Sequence, residues 1–279
     1  GGQAALVTTV SADAVGDFCR QQLRNYGVSD QFVRTITGES RTSLAVYESR
    51  IEDHKTVIYR NNAADFQMDM QDVNAPSYGD YSGLVTTGTV FAADPSRTAG
   101  YRAMEQAREA GIPVIFDIDY RPYSWTSAAL ASEVLTRAAD MSDIIIGNDE
   151  EFDFVAGKTG AGLALARELG QSPDKSIVYK MGPLGALTIQ GGAEIATGIF
   201  KVEALKPTGA GDSFMGGFIA SLAAGKPLKD CVERGSSAAA ITVTRPVCAP
   251  ALPDDAQIDA FIADHPGLSH PSLPASQSV

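Results

Sequence analysis

Four short runs, "GLVTTG" (83–88), "IPVIFDID" (112–119), "DIIIGN" (143–148) and "SIVYKMG" (176–182), constrain the fold more than anything else in the chain. Each is apolar along most of its length rather than on alternate residues, and helix-length segments lie between them. A strand wet on one face alternates apolar with polar residues; a continuously apolar one is covered on both faces. Such strands spaced by helices predict an α/β fold, a parallel sheet with helices on both faces and right-handed crossovers. Ligands in such sheets sit beyond the C-terminal strand ends. Four turns fall on that rim, 117–125, 148–151, 180–185 and 206–212, and all carry polar residues that packing does not demand.

The remaining segments fit this rhythm with one interruption. Residues 4–10 read as a strand, and Ala12 to Tyr26 as an amphipathic helix opening near Asp13 and stopped by Gly27. Further helices are expected from about Ser96 to Ala110, near 127–139, from about 211 to 224 and from 228 to 243, with strands around 186–205. "SLAVYES" (43–49) and "KTVIYR" (55–60), joined by "RIEDH", break the pattern as a hairpin. Residues 265–279 are rich in Pro, Ser and Ala and read as a flexible tail. The 279 residues, 44% apolar and 20% charged, suit a single α/β domain with a small appendage.

Charge and thiols narrow the function classes. A net charge of −12 argues against nucleic acid or an anionic membrane as partner, since both call for basic patches. No apolar run reaches membrane-spanning length, and no signal peptide is visible. Cys19, Cys231 and Cys248 are odd in number and lack metal spacing, which reads as reduced cytoplasmic thiols. His54, His265 and His270 are scattered, which disfavours a zinc site or a histidine triad. The chain opens on glycine and runs almost at once into a strand, so a natural N-terminal segment is expected ahead of Gly1.

"KPTGAGDSFMGGF" (206–218) is the stretch richest in chemistry. Gly209, Ala210 and Gly211 allow a tight bend ahead of a helix whose Phe214, Phe218 and Leu222 recur at helical spacing. Such a turn presents unpaired N–H groups at a positive helix terminus, a ready anion site. Asp212 then has two readings: a first-turn aspartate that favours the helix dipole, or a general base beside a bound phosphate. Asn148 and Glu151 in "GNDEEF" read locally as an N-cap and its capping-box partner, and "KMGPLG" (180–185) as a hairpin turn. Arg60 reads as a charge at a hairpin edge, and Arg121 as an ion-pair partner of Asp117 or Asp119. Two look-alikes fail: "GGFIASLAAGKP" has Ala220 and Pro227 where a P-loop needs Gly and Ser or Thr, and "GAGLAL" has Leu165 where a dinucleotide fingerprint needs a small residue.

Thr208 to Phe214 resembles the signature of the ribokinase-like, or carbohydrate-kinase, family, and three further stretches fit in the same order. The resemblance implies a ribokinase-like three-layer sandwich with a mainly parallel sheet and a small β lid near residues 43–60, spanning the whole chain but lacking the family's opening segment. It also implies ATP-dependent phosphoryl transfer with Mg2+. Asp212 would be the base, and the amides of Gly209, Ala210 and Gly211 the anion hole. Lys180, Gly182, Gly185, Thr208, Gly211 and Asn148 would line the nucleotide, and Asn148 and Glu151 would hold magnesium through water. The small-residue run "GSSAAAITVTR" (235–245) resembles the family helix beside the adenine, and equally suits close helix packing.

"VIYRNNAAD" (57–65), "FDIDYRPYSW" (116–125) and "LKPTGAGDSF" (205–214) are most similar to the 5-dehydro-2-deoxygluconokinases of inositol catabolism, with 2-keto-3-deoxygluconate kinases as the near alternative. That likeness gives Arg60 and Arg121 the carboxylate of a sugar acid and lets Tyr59 pack on the sugar. Guanidinium groups suit bidentate carboxylate recognition, and an acidic protein needs such focused positive charge. A homodimer through the lid strands is expected from their open edges. Lys206 stands where many relatives carry an aspartate that binds a monovalent cation, so its ammonium is expected to stand in for that charge. The rival from another class is a catalytically inactive sugar- or nucleotide-binding relative with the same fold.

Overall fold

The computed structural model describes residues 2–47, 56–265 and 268. The chain forms two compact units, one from residues 3–46 with 56–165 and the other from 166 onward.

In the first unit, β1 (Ala4–Ser11), α1 (Ala14–Asn25) and β2 (Val28–Ile36) make a parallel β-α-β turn of chain. Asp13 opens α1 as expected, accepting the N–H groups of Val15 and Gly16 at 3.0 and 3.1 Å. Those bonds, Gly16's foremost, and the Ser11 hydroxyl hold its carboxyl below the usual carboxylate range. β2 has no counterpart in the sequence reading. Its "VSDQFVRTI" lacks an apolar rhythm, and tertiary contacts hold it instead: it pairs with β1, and Arg34 donates to the buried Asp72 at 2.6 Å. β3 (Leu44–Tyr47) and β4 (Thr56–Tyr59) pair as a two-stranded sheet, the strands of the expected hairpin. Its connection, residues 48–55, lies outside the described residues.

A single turn, α2 (Met70–Val73), precedes β5 (Leu84–Thr87), α3 (Ser96–Glu109), β6 (Val114–Asp117), α4 (Ala128–Asp140) and β7 (Ile144–Asn148). The three strands run parallel, with Leu84 opposite Val114 and Ile115 opposite Ile144. Their apolar runs are buried as predicted: Phe116, Ile145 and Ile146 are wholly inaccessible, with Phe91, Ile118 and Leu135 beside them. Burying each such side chain contributes about 1.5–3 kcal/mol. β7 runs directly into α5 (Asp149–Val155), and α6 (Gly162–Leu169) carries the chain into the second unit.

The second unit opens with an antiparallel meander, β8 (Ser176–Lys180), β9 (Ala186–Gln190) and β10 (Ala193–Thr197), whose tip is the Gly191–Gly192 turn. Strand structure therefore ends at Thr197, short of the expected 205. Two helices follow, α7 (Ala210–Ala223) and α8 (Leu228–Val243), both close to their sequence-predicted limits. They meet through small residues: a Cβ on Gly217 would stand 2.9 Å from the Arg234 carbonyl oxygen, and one on Gly235 2.8 Å from that of Phe214. Adding those methyl groups would overpack the contact, at a cost of about 1–3 kcal/mol. The Thr242 hydroxyl donates to Ser213 across the same seam at 2.7 Å. α9 (Asp255–Asp264) closes the unit, tied to α8 by Arg234 through Asp255 at 3.0 Å and through Asp259. Of the expected tail, all but His265 and Leu268 lies outside the described residues, as do His54 and His270. Among the described residues no helix is long and apolar enough to cross a membrane.

Candidate active site

The segment ahead of α7 is built as an anion-binding turn. Gly209 is its N-cap with φ 86°, a left-handed conformation that a side chain resists. The first helical bond runs from Ser213 N–H to the Gly209 carbonyl at 3.0 Å, and Ala210 N–H closes on the Pro207 carbonyl at 3.3 Å. Among the described residues, the amides of Gly209, Gly211 and Asp212 have no acceptor. Three open N–H groups at the positive end of a fourteen-residue helix can take an anion. Asp212 is exposed, and its carboxylate makes no ion pair or hydrogen bond among the described residues. A carboxylate that is neither buried nor engaged is free to accept a proton from an approaching hydroxyl.

Lys180, at the end of β8, places its ammonium 5.6 Å from the centre of the Phe214 ring on α7, a cation–π approach. The turn after it is the hairpin expected of "KMGPLG": Met181 N–H bonds the Gly185 carbonyl at 2.7 Å, and Gly182 and Gly185 both have positive φ. Lys180, Gly182, Gly185 and Thr208 therefore share the second unit with the anion turn.

The first unit carries the other candidates. Asn148 Oδ1 accepts Glu151 N–H at 2.8 Å, and Glu151 Oε2 accepts Asn148 N–H at 2.8 Å, a reciprocal capping box on α5. The second Glu151 oxygen lies 3.8 Å from Arg121 Nη1, and the glutamate side chain is 8% exposed. Arg121 pairs mainly with Asp119 at 2.7 Å, so of the two expected partners Asp119 is the one it takes. Asp119 itself sits at φ 35°, a strained value for a residue with a side chain, on the rim just past β6. Arg60 is no loose surface charge. It is paired with Asp65, lies 4.2 Å over the Phe66 ring, and its side chain is 17% exposed. Tyr59 is 62% exposed on β4.

Sequence reasoning passed over Tyr123. Burial pushes its phenol above the ordinary tyrosine range, while Arg121 and Arg60 pull it down and Asp119 pushes it up. The available signal was the aromatic residue two places after Arg121 in "RPY". Tyr120, stacked on Phe154 at 3.6 Å, fixes the base of this loop.

Among the described residues no cluster of three or more His, Cys, Asp or Glu gathers to hold a metal. Magnesium needs less from the protein: it keeps several waters and takes one or two carboxylates with substrate phosphates. The uncapped oxygen of Glu151 fits that donor set.

Residues 1–255 match the profile described as pfkB family carbohydrate kinase. The chain is 38% identical over 267 residues to 5-dehydro-2-deoxygluconokinase of Photobacterium profundum, covering 94% of this chain and 81% of that protein. It is 34% identical over 270 residues to the enzyme of the same name from Geobacillus kaustophilus, covering 95% and 81%. Among solved structures, fructokinase of Vibrio cholerae O395 with fructose, ADP and calcium superposes with a TM-score of 0.83 at 25% identity, covering 93% of this chain and 85% of that one. Aminoimidazole riboside kinase of Salmonella enterica superposes with a TM-score of 0.81 at 23% identity over 94% and 86%, a likeness of fold. The α/β fold expected from the strand pattern, and the ribokinase-like form of it that the motif resemblance implies, is the fold of these sugar kinases, and the chain belongs to the pfkB family of carbohydrate kinases.

Proposed function

We propose that this protein transfers the γ-phosphoryl group of ATP to the C6 hydroxyl of 5-dehydro-2-deoxy-D-gluconate, working as one ribokinase-like domain in the cytoplasm. The observation that carries the chemistry is the exposed, unengaged Asp212 carboxylate beside open helix-terminal amides. The names of the relatives at 38% and 34% identity supply the substrate.

Asp212 takes the proton of the attacking hydroxyl as the O–P bond forms. The turn of Gly209, Ala210 and Gly211 receives the charge of the transferring phosphoryl group, chiefly through Gly209 and Gly211, whose N–H groups are open. Thr208, Lys180, Gly182 and Gly185, all in the second unit, line the nucleotide. Arg121 and Arg60 hold the sugar-acid carboxylate, and Tyr59 packs on the sugar. Asn148 and Glu151 would hold magnesium through water, and the ion would supply charge neutralisation for the phosphates. Pairing of the β3–β4 lid between two copies makes the homodimer, and Cys19, Cys231 and Cys248, none of them in a disulfide, suit a reducing compartment.

ADP release coupled to an indicator reaction, run against a panel of sugar acids and neutral sugars, tests this reading. The 5-dehydro-2-deoxy acid should give the highest kcat/KM, and Asp212→Asn should cut kcat by about 10²–10⁴-fold with the ATP KM little changed. Turnover with 2-keto-3-deoxygluconate alone would move the substrate assignment. Unchanged turnover in Asp212→Asn would remove the base.

A further inference from the structure

Lys206 is a buried cation that the proposed phosphoryl transfer leaves without a part. It is 2% exposed, although Leu205 before it is 50% exposed and Pro207 after it is open to solvent. Backbone bonds from Leu205 and Lys206 N–H to the Val243 carbonyl, at 2.8 and 3.3 Å, pin the segment to the end of α8. The ammonium donates to the Thr208 carbonyl at 2.6 Å. Among the described residues no carboxylate pairs with it. A buried ammonium with one neutral acceptor is costly unless an anion completes its surroundings.

The bond to Thr208 also has a directional consequence. In a planar trans peptide the carbonyl and the following N–H point in opposite directions. Holding the Thr208 oxygen towards Lys206 therefore aims the Gly209 N–H away from it. Gly209 N–H is one of the open donors of the anion turn, and its left-handed φ of 86° keeps that orientation.

We propose that Lys206 is the built-in cation of the phosphate-binding turn: its ammonium clamps the Thr208 carbonyl, sets the outward amides, and from behind them adds positive charge to the field that holds the bound phosphate. It is a positioning residue, and the turn then needs no monovalent cation from solution. The inference rests on the phosphoryl-transfer reading of the site and deepens it, but it is tested on nucleotide binding, which does not require the sugar acid to be right.

The experiment measures ADP affinity calorimetrically in the full chain, for the wild type, Lys206→Met and Lys206→Gln, with circular dichroism as a check on folding. Both variants should weaken ADP by about tenfold or more, since each removes the charge. Potassium or ammonium chloride should restore part of that loss in Lys206→Met, and choline chloride none. Wild-type affinity should change by less than about twofold on exchanging potassium for choline at fixed ionic strength. Should Lys206→Met fail to fold, Lys206→Gln carries the test, because its amide can still donate to Thr208 without the charge. ADP affinity at the wild-type level in a folded Lys206→Gln, or a large saturable potassium effect on the wild type, overturns the proposal. ADP binding as expected with no turnover on any sugar acid would sink the substrate assignment and leave this inference standing.

Discussion

Arg121 shows how a residue can satisfy two readings at once. Its guanidinium is paired with Asp119 at 2.7 Å and approaches Glu151 at 3.8 Å, yet its side chain is 45% exposed, so donors remain available to a substrate carboxylate. Arg60 is more committed, held by Asp65 and covered by Phe66. Arg121→Met should therefore raise KM for sugar acids by about tenfold to a hundredfold, the worth of a charge-assisted bond, while neutral sugars are unaffected. Equal effects on acids and neutral sugars would refute the carboxylate role. Arg60→Met should also destabilise the fold around Asp65, whose Ser43 bond at 2.5 Å would then hold a carboxylate without its cation. At this scale the sequence was legible where local geometry rests on residue type at a fixed spacing, as with the turn at Gly209 and the Asn148–Glu151 capping box. It was silent on which carboxylate each arginine takes and on Tyr123, because those depend on where separate loops meet.

In the proposed function, recognition turns on the loop from 117 to 125. It leaves β6 through the strained Asp119, and it buries two donors, Ser124 Oγ and Trp125 Nε1, with no hydrogen-bond partner among the described residues. Each unmade bond costs about 1–3 kcal/mol, so an arrangement that pairs them is favoured once a polar substrate arrives. Trp125 is the single tryptophan of the chain, and its emission reports this loop alone. Titrating the sugar acid should shift or quench that emission in the wild type and leave it unchanged in Arg121→Met; a flat wild-type titration would show that the loop does not respond. The elements themselves divide in the same way. β6 and β7 were readable because both faces are buried and the runs are apolar throughout. α7 and α8 were readable because small residues and helical spacing coincide. β2 was not, because polar side chains and pairing with β1, rather than an apolar rhythm, hold it in place.

At the scale of the whole molecule, the β3–β4 sheet is the feature that a lone chain explains least. Leu44 and Val46 alternate onto one face of β3, and Val57 and Tyr59 onto one face of β4, and all four are 50–62% exposed. An isolated two-stranded sheet is marginal in water, and open apolar strands are a template for further pairing. The proposed homodimer answers both problems, since a two-fold axis brings the same patch of each copy together and covers it with its own complement. The net charge of −12 makes a non-specific association of copies unfavourable, so what holds two chains together must be local and apolar. Leu44→Glu with Val57→Glu adds like charges that would face one another across such an axis. Sedimentation should give about twice the 29.3 kDa chain mass for the wild type and the single-chain mass for the double variant. The shift should persist at high salt, because burying apolar surface, unlike surface charge pairing, is not screened. A wild type that sediments as a single chain at tens of micromolar would remove the dimer and leave this face to another partner.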